Sequence, residues 1–189
     1  MLAACDILKG AEPPPPEFTL AEVLIWDAPR LKSTFGGPAF IVRDRLGEAL
    51  YWDGGSEAPT QVIDPDEFSR QFPVGGDPRL TPFNLIAITG RRGVLSLYVR
   101  RSYEDPAQRI GFLGKRISAL RRADIGNHLG EPHSKGWCGV NRSEERYDWE
   151  FAPGEGPLPD VFPGRYTVQV TFDGDSSIVS SVLVSIAEK

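Results

Sequence analysis

Arg165-Tyr166-Thr167-Val168-Gln169-Val170-Thr171-Phe172-Asp173-Gly174-Asp175-Ser176-Ser177-Ile178-Val179-Ser180-Ser181-Val182-Leu183-Val184-Ser185-Ile186 is the stretch that decides the fold class. Tyr166, Val168, Val170 and Phe172 alternate with Thr167, Gln169 and Thr171, so one face is apolar and the other polar. Only the two-residue period of a strand separates them in this way. Asp173 to Ser177 supply turn chemistry, and Val182, Val184 and Ile186 resume the alternation on the return. The segment is a half-buried β-hairpin.

Working outward, the same pattern recurs. Phe83 to Thr89 and Val94 to Arg100 flank Gly90-Arg91-Arg92-Gly93, with Leu95, Leu97 and Val99 expected inward. Ala39 to Arg43 and Glu48 to Trp52 flank Asp44-Arg45-Leu46-Gly47 as a further hairpin. Pro59 to Asp64 reads as a short strand, and Asp64-Pro65 as the cap and first residue of a helical turn. Phe18 to Trp26 is expected to be an apolar strand closed by Asp27-Ala28-Pro29. One segment departs from the β pattern. Ile110, Leu113, Ile117 and Leu120 recur at three and four residues, which predicts a short amphipathic helix within Ala107 to Arg122. The polar, Gly/Pro-punctuated stretch from Asp124 to Pro163 is expected to be a long loop with one strand-like island, Tyr147 to Phe151.

The expected organisation is a tether over residues 1–17 and one β-sandwich domain over 18–189, with an insertion at about 103–162. Pro163-Gly164-Arg165-Tyr166-Thr167-Val168-Gln169-Val170 resembles the penultimate-strand signature of bacterial immunoglobulin-like sandwich domains. That resemblance implies an antiparallel immunoglobulin-like β-sandwich in which Tyr166 anchors the strand. It covers only the end of the sequence and speaks to architecture, not to function.

Leu2-Ala3-Ala4-Cys5 resembles the lipobox of bacterial lipoproteins, in which a cysteine receives a diacylglycerol before cleavage. The resemblance implies lipid attachment at Cys5, with Lys9 to Pro16 as the tether. A complete export leader has a basic start and about 7–15 apolar residues, whereas only Met1 and Leu2 precede the box. Either translation starts further upstream, or the match is accidental and the protein is cytoplasmic. Asp6 follows the cysteine, and in lipoproteins like those of enterobacteria this implies retention at the periplasmic face of the inner membrane.

The net charge of −5 over 189 residues argues against general affinity for nucleic acid. No run reaches the roughly 20 apolar residues that cross a bilayer. Within this acidic chain, however, positive charge is concentrated at Arg91, Arg92, Arg100, Arg101, Arg109, Lys115, Arg116, Arg121 and Arg122. Arginine forks pair carboxylates bidentately, so these residues are expected to dock on an envelope protein or inner-membrane complex. Trp137 and Trp149 are expected to add aromatic anchors or to line a glycan- or protease-binding site. The resulting expectation is a non-enzymatic, cofactor-free accessory lipoprotein. An alternative metal site would use His128, His133 and Cys138, although their spacing matches no established zinc pattern. Glu144, Glu145, Asp148, Glu150 and Glu155 are candidates for acid–base work on a sugar bond. No Gly-x-Ser-x-Gly nucleophile elbow occurs.

Overall fold

In the computed structural model the chain is mainly β. The structure describes residues 15–43, 47–54, 58–72, 82–90, 93–138, 144–158, 164–174 and 177–186. Strands β1 (Phe18–Thr19), β2 (Phe40–Arg43), β3 (Glu48–Trp52), β4 (Gln61–Ile63), β5 (Leu85–Gly90) and β6 (Gly93–Arg100) come first. They are followed by β7 (Ile110–Phe112), β8 (Lys115–Arg116), β9 (Ser134–Cys138), β10 (Glu144–Phe151), β11 (Tyr166–Asp173) and β12 (Val179–Ile186). Among the described residues four short α-helices accompany them: α1 (Leu20–Leu24), α2 (Ala28–Phe35), α3 (Pro65–Gln71) and α4 (Arg122–Leu129).

Nine strands form one sheet in the order β4-β2-β3-β5-β6-β12-β11-β10-β9. Every neighbouring pair in it is antiparallel except β2 with β4. A second, three-stranded sheet has the order β1-β7-β8. The hairpin that decided the fold class is in place, with Tyr166, Val168, Val170 and Phe172 all buried on one face of β11. On that face Leu50, Trp52, Leu85, Leu97, Val99, Val182, Val184 and Trp149 build the main core. Leu20, Val23 and Leu24 of α1, Ile110 and Phe112 of β7, and Ile125 of α4 close over it. Fully burying each such side chain contributes roughly 1.5–3 kcal/mol relative to exposure. On the opposite face Phe83, Ile86 and Tyr98 pack with Phe40, Tyr51, Phe68 and Phe72 into a smaller aromatic cluster under α3. Asp64 caps α3 by accepting from the Glu67 amide at 2.8 Å, with Pro65 in the first turn as expected.

This layering is consistent with a β-sandwich; immunoglobulin-like connectivity is not confirmed by it. Tyr166 is anchored: its hydroxyl donates to the Glu155 carbonyl at 2.6 Å and accepts from the Leu158 amide at 3.1 Å.

Three expectations need correction. Only Phe18 and Thr19 of the 18–26 run are strand. Thr19 then forms a capping box with Glu22, and Leu20, Val23 and Leu24 fall on one buried helix face. The predicted helix over 107–122 is instead a 3-10 turn at Ala107–Arg109, the β7–β8 hairpin, and a second 3-10 turn at Ile117–Ala119. Spacings of three residues bury one face of a 3-10 turn as well as of an α-helix, and a tight hairpin supplies the rest. Gly111 is required there, because a Cβ would stand 2.4 Å from Pro16 and 2.8 Å from the Lys115 carbonyl oxygen. Finally, the stretch from Asp124 to Pro163 that was expected to be loop holds most of α4, β9 and the whole of β10, which runs from Glu144 rather than Tyr147. Its charged first residues are held in the ladder opposite Asp173, Phe172 and Thr171.

Candidate functional site: an aromatic and basic surface at the end of the sheet

α4 begins where Asp124 accepts from the Arg121 amide at 2.9 Å, offsetting one of the unpaired donors of a helix start. The other oxygen of Asp124 takes the Lys115 ammonium at 2.7 Å. That hydrogen bond, opposed by partial burial and joined by the Arg121 amide, holds the Asp124 carboxyl below its ordinary value. The next residue along the surface is Arg122. Its guanidinium lies 4.3 Å over the Phe172 ring and 5.1 Å from that of Tyr147. It also donates to the Tyr147 hydroxyl and to Glu145.

Strands β10 and β9 continue this surface outward. Tyr147 stands opposite Lys135, and Glu145 opposite Trp137. The Lys135 ammonium folds back to 5.1 Å from the Tyr147 ring. Trp137 is 51 % exposed on the outermost strand. Lys115 and the Arg121 amide thus meet at Asp124, and the neighbouring Arg122 meets Glu145 and Tyr147, which stand opposite Trp137 and Lys135; the Arg121 guanidinium itself donates to the Ser118 and Leu120 carbonyls.

The remaining predicted residues are placed elsewhere. Arg109 forks onto Glu17 at 2.6 and 2.8 Å, donates to the Thr34 carbonyl and stacks near Phe18 and Phe35. It braces β1 and α2. Arg116 donates to the Pro15 carbonyl at 3.3 Å. Arg101 lies 3.7 Å from Asp173. Arg100 is exposed at the far end of β6, in register with Ser181. Cys5, Arg91 and Arg92 lie outside the described residues. Trp149 is a correction: it is 1 % exposed, with its indole N–H donated to the Gly130 carbonyl, and belongs to the core.

The metal alternative is also corrected. His128 sits in α4 with Nδ1 at 2.8 Å from the Asp124 carbonyl oxygen of its own helix. His133 uses Nδ1 to accept the Glu150 amide, and Cys138 is half-buried on β9. Among the described residues no three His, Cys, Asp or Glu side chains are grouped to hold a metal ion. The acidic candidates separate as well. Glu145 faces Arg122, while Asp148, three residues further along β10 and so on its opposite face, accepts from Ser134 and Gln169. Sequence reasoning missed Lys135, Glu145 and Tyr147 as neighbours of Trp137. The alternation of Lys135 with Trp137 and of Glu145 with Tyr147 was the available signal.

Comparison with protein-family models, curated proteins and solved structures returned no match. Nothing in the fold or in those comparisons positively indicates an enzyme. Among the described residues no helix is long and apolar enough to cross a membrane.

Proposed function

We propose that this chain is a bacterial lipoprotein, anchored through Cys5 at the periplasmic face of the inner membrane, that binds or braces another envelope protein without catalysing a reaction. An accessory subunit of an inner-membrane complex is the form of that role favoured by the features together. The observation that carries the binding role is Trp137, half out in solvent on the last strand of the sheet, with Lys135 two residues before it on the same face and Glu145 opposite it. Aromatic side chains and arginine are the usual anchors of protein interfaces. The lipobox-like Leu2-Ala3-Ala4-Cys5 supports the anchor. A chain of several acyl groups on one cysteine holds stably, since each buried methylene contributes about 0.8 kcal/mol.

Two measurements test the reading. Cells expressing the protein from its natural locus are fed a radiolabelled fatty acid; label on the wild type and none on Cys5→Ser is expected. A photoreactive residue at position 137 is then irradiated in intact cells, and one recurring envelope protein is expected in the adduct. An unlabelled cysteine removes the anchor. Adducts with no recurring companion remove the bracing role.

A further inference from the structure

We propose that the β7–β8 corner of the domain rests on the headgroups of anionic phospholipid through Lys115, Arg116 and Arg121. This deepens the proposed function. It rests on the lipid at Cys5, gives the anchored domain an orientation, and leaves Trp137 to the protein partner.

The first described residues are held at this corner. Arg116 donates to the Pro15 carbonyl at 3.3 Å, and β1 runs parallel to β7. The Glu17 amide donates to the Arg109 carbonyl at 3.0 Å, and the Glu17 carboxylate accepts the Arg109 fork. Ten peptide steps separate Cys5 from Pro15, at most about 35 Å of extended chain. A domain of this size is roughly 40 Å across, so that length cannot pass round it. An acyl chain on Cys5 therefore draws the half carrying Pro15 towards the bilayer.

The charge of that half suits the surface it meets. Lys115 and Arg121 are exposed. Asp124 joins them, taking the Lys115 ammonium on one oxygen and the Arg121 amide on the other. The Arg121 guanidinium donates to the Ser118 and Leu120 carbonyls and that of Arg116 to the Pro15 carbonyl, bonds that leave both charges in place. The three cations and Asp124 sum to +2 in a chain of net −5, so the remaining residues are more acidic still. Beside an anionic surface such a molecule turns its positive corner inward. Arginine adds a planar fork that matches phosphate oxygens.

The test uses the full chain with Cys138→Ser, joined through the Cys5 thiol to a maleimide lipid. The vesicles are phosphatidylcholine, alone or in equal mixture with phosphatidylglycerol, and carry a nitroxide-headgroup lipid as quencher. A fluorescent amino acid replaces Ser118, between the two arginines, or in a second protein Val62, exposed on β4. The corner meets β12 where the Val179 amide approaches the Leu120 carbonyl, and β4 lies five strand spacings along the sheet from β12, about 24 Å. In anionic vesicles quenching is expected to be roughly twofold stronger at 118 than at 62, falling to the neutral-vesicle ratio in 1 M salt, where charges are screened within about 3 Å. Arg121→Glu takes the cluster to zero and should remove the excess, while Arg121→Lys should keep it, a split that a folding defect would not produce. A ratio as large in neutral vesicles, equal quenching at both positions, or an excess that survives Arg121→Glu would overturn the inference. The lipid is supplied chemically, so an unacylated natural cysteine removes the anchor and leaves these ratios standing. Failure here leaves fatty-acid labelling and the adducts at position 137 untouched.

Discussion

Arg122 carries a formal charge that the sequence leads one to expect on a partner-binding surface, yet its guanidinium is laid across Phe172 and Tyr147 and tied to Glu145 within the chain. Such a side chain works through its flat face and its hydrocarbon stem as much as through its charge. Arg122→Ala is expected to lower stability by roughly 1–3 kcal/mol, from lost ring contact and a stranded carboxylate. Arg122→Lys should recover less than half of that loss, because an ammonium cannot stack and fork at once. Urea unfolding of the three proteins checks this. The acidic partners give a pH dependence. Asp124 is held down chiefly by its hydrogen bond to Lys115. At Glu48, burial pushes the carboxyl up, but hydrogen bonds from Lys32 and Arg43 outweigh it and leave it lowered. Groups lowered on folding bind protons more readily when unfolded, so stability is complete above their ordinary values of 3.8 and 4.5. It is then lost as pH falls through the lower folded values. Asp124→Asn should flatten that acid limb in a plot of urea midpoint against pH.

Among the elements, β11 and β12 were legible from alternation, because an apolar set that buries one face must repeat every second residue. β2, β3, β5 and β6 were legible as apolar runs between turn residues, and they bury side chains on both faces, Ile41, Leu50, Leu85 and Leu97 on one and Phe40, Tyr51, Ile86 and Tyr98 on the other. What escaped was governed by single contacts. α1 hides in an apolar run, although Thr19-x-x-Glu22 is the capping-box pattern and was there to be read. β10 was cut short because Glu144, Glu145 and Arg146 look solvated until Arg122 and β11 are placed beside them. The basic, aromatic surface stayed half-hidden for the same reason, since strand order, not spacing, brings Arg122 of α4 against Glu145 and Tyr147 of β10. The β7–β8 turn and α4 offer opposed tests of backbone preference. Gly114 follows Leu113 in the hairpin, with φ of 78° and 53° respectively. Gly114→Ala is expected to destabilise by about 1 kcal/mol. Gly126 lies inside α4 with open space around it, so Gly126→Ala should stabilise by about 0.5–1 kcal/mol. Thermal midpoints moving in opposite directions would bear out both.

Across the whole molecule, β12 lies between β6 and β11 and joins the first five strands of the sheet to the last three. Long-range pairing of this kind slows folding, since the loop must close before contacts reward it. Truncation after Ser177 is expected to leave β6 and β11 each with one unpaired edge and to give a chain that precipitates on refolding, followed by light scattering. The intact chain should refold in milliseconds to seconds.

The position of β12 has a bearing on synthesis. While a ribosome is still adding residues short of Ile186, the nascent polypeptide holds two half-finished sheets and nothing to stitch them together. A chain assembled in that order reaches its complete fold only when its last strand is available to lie between β6 and β11.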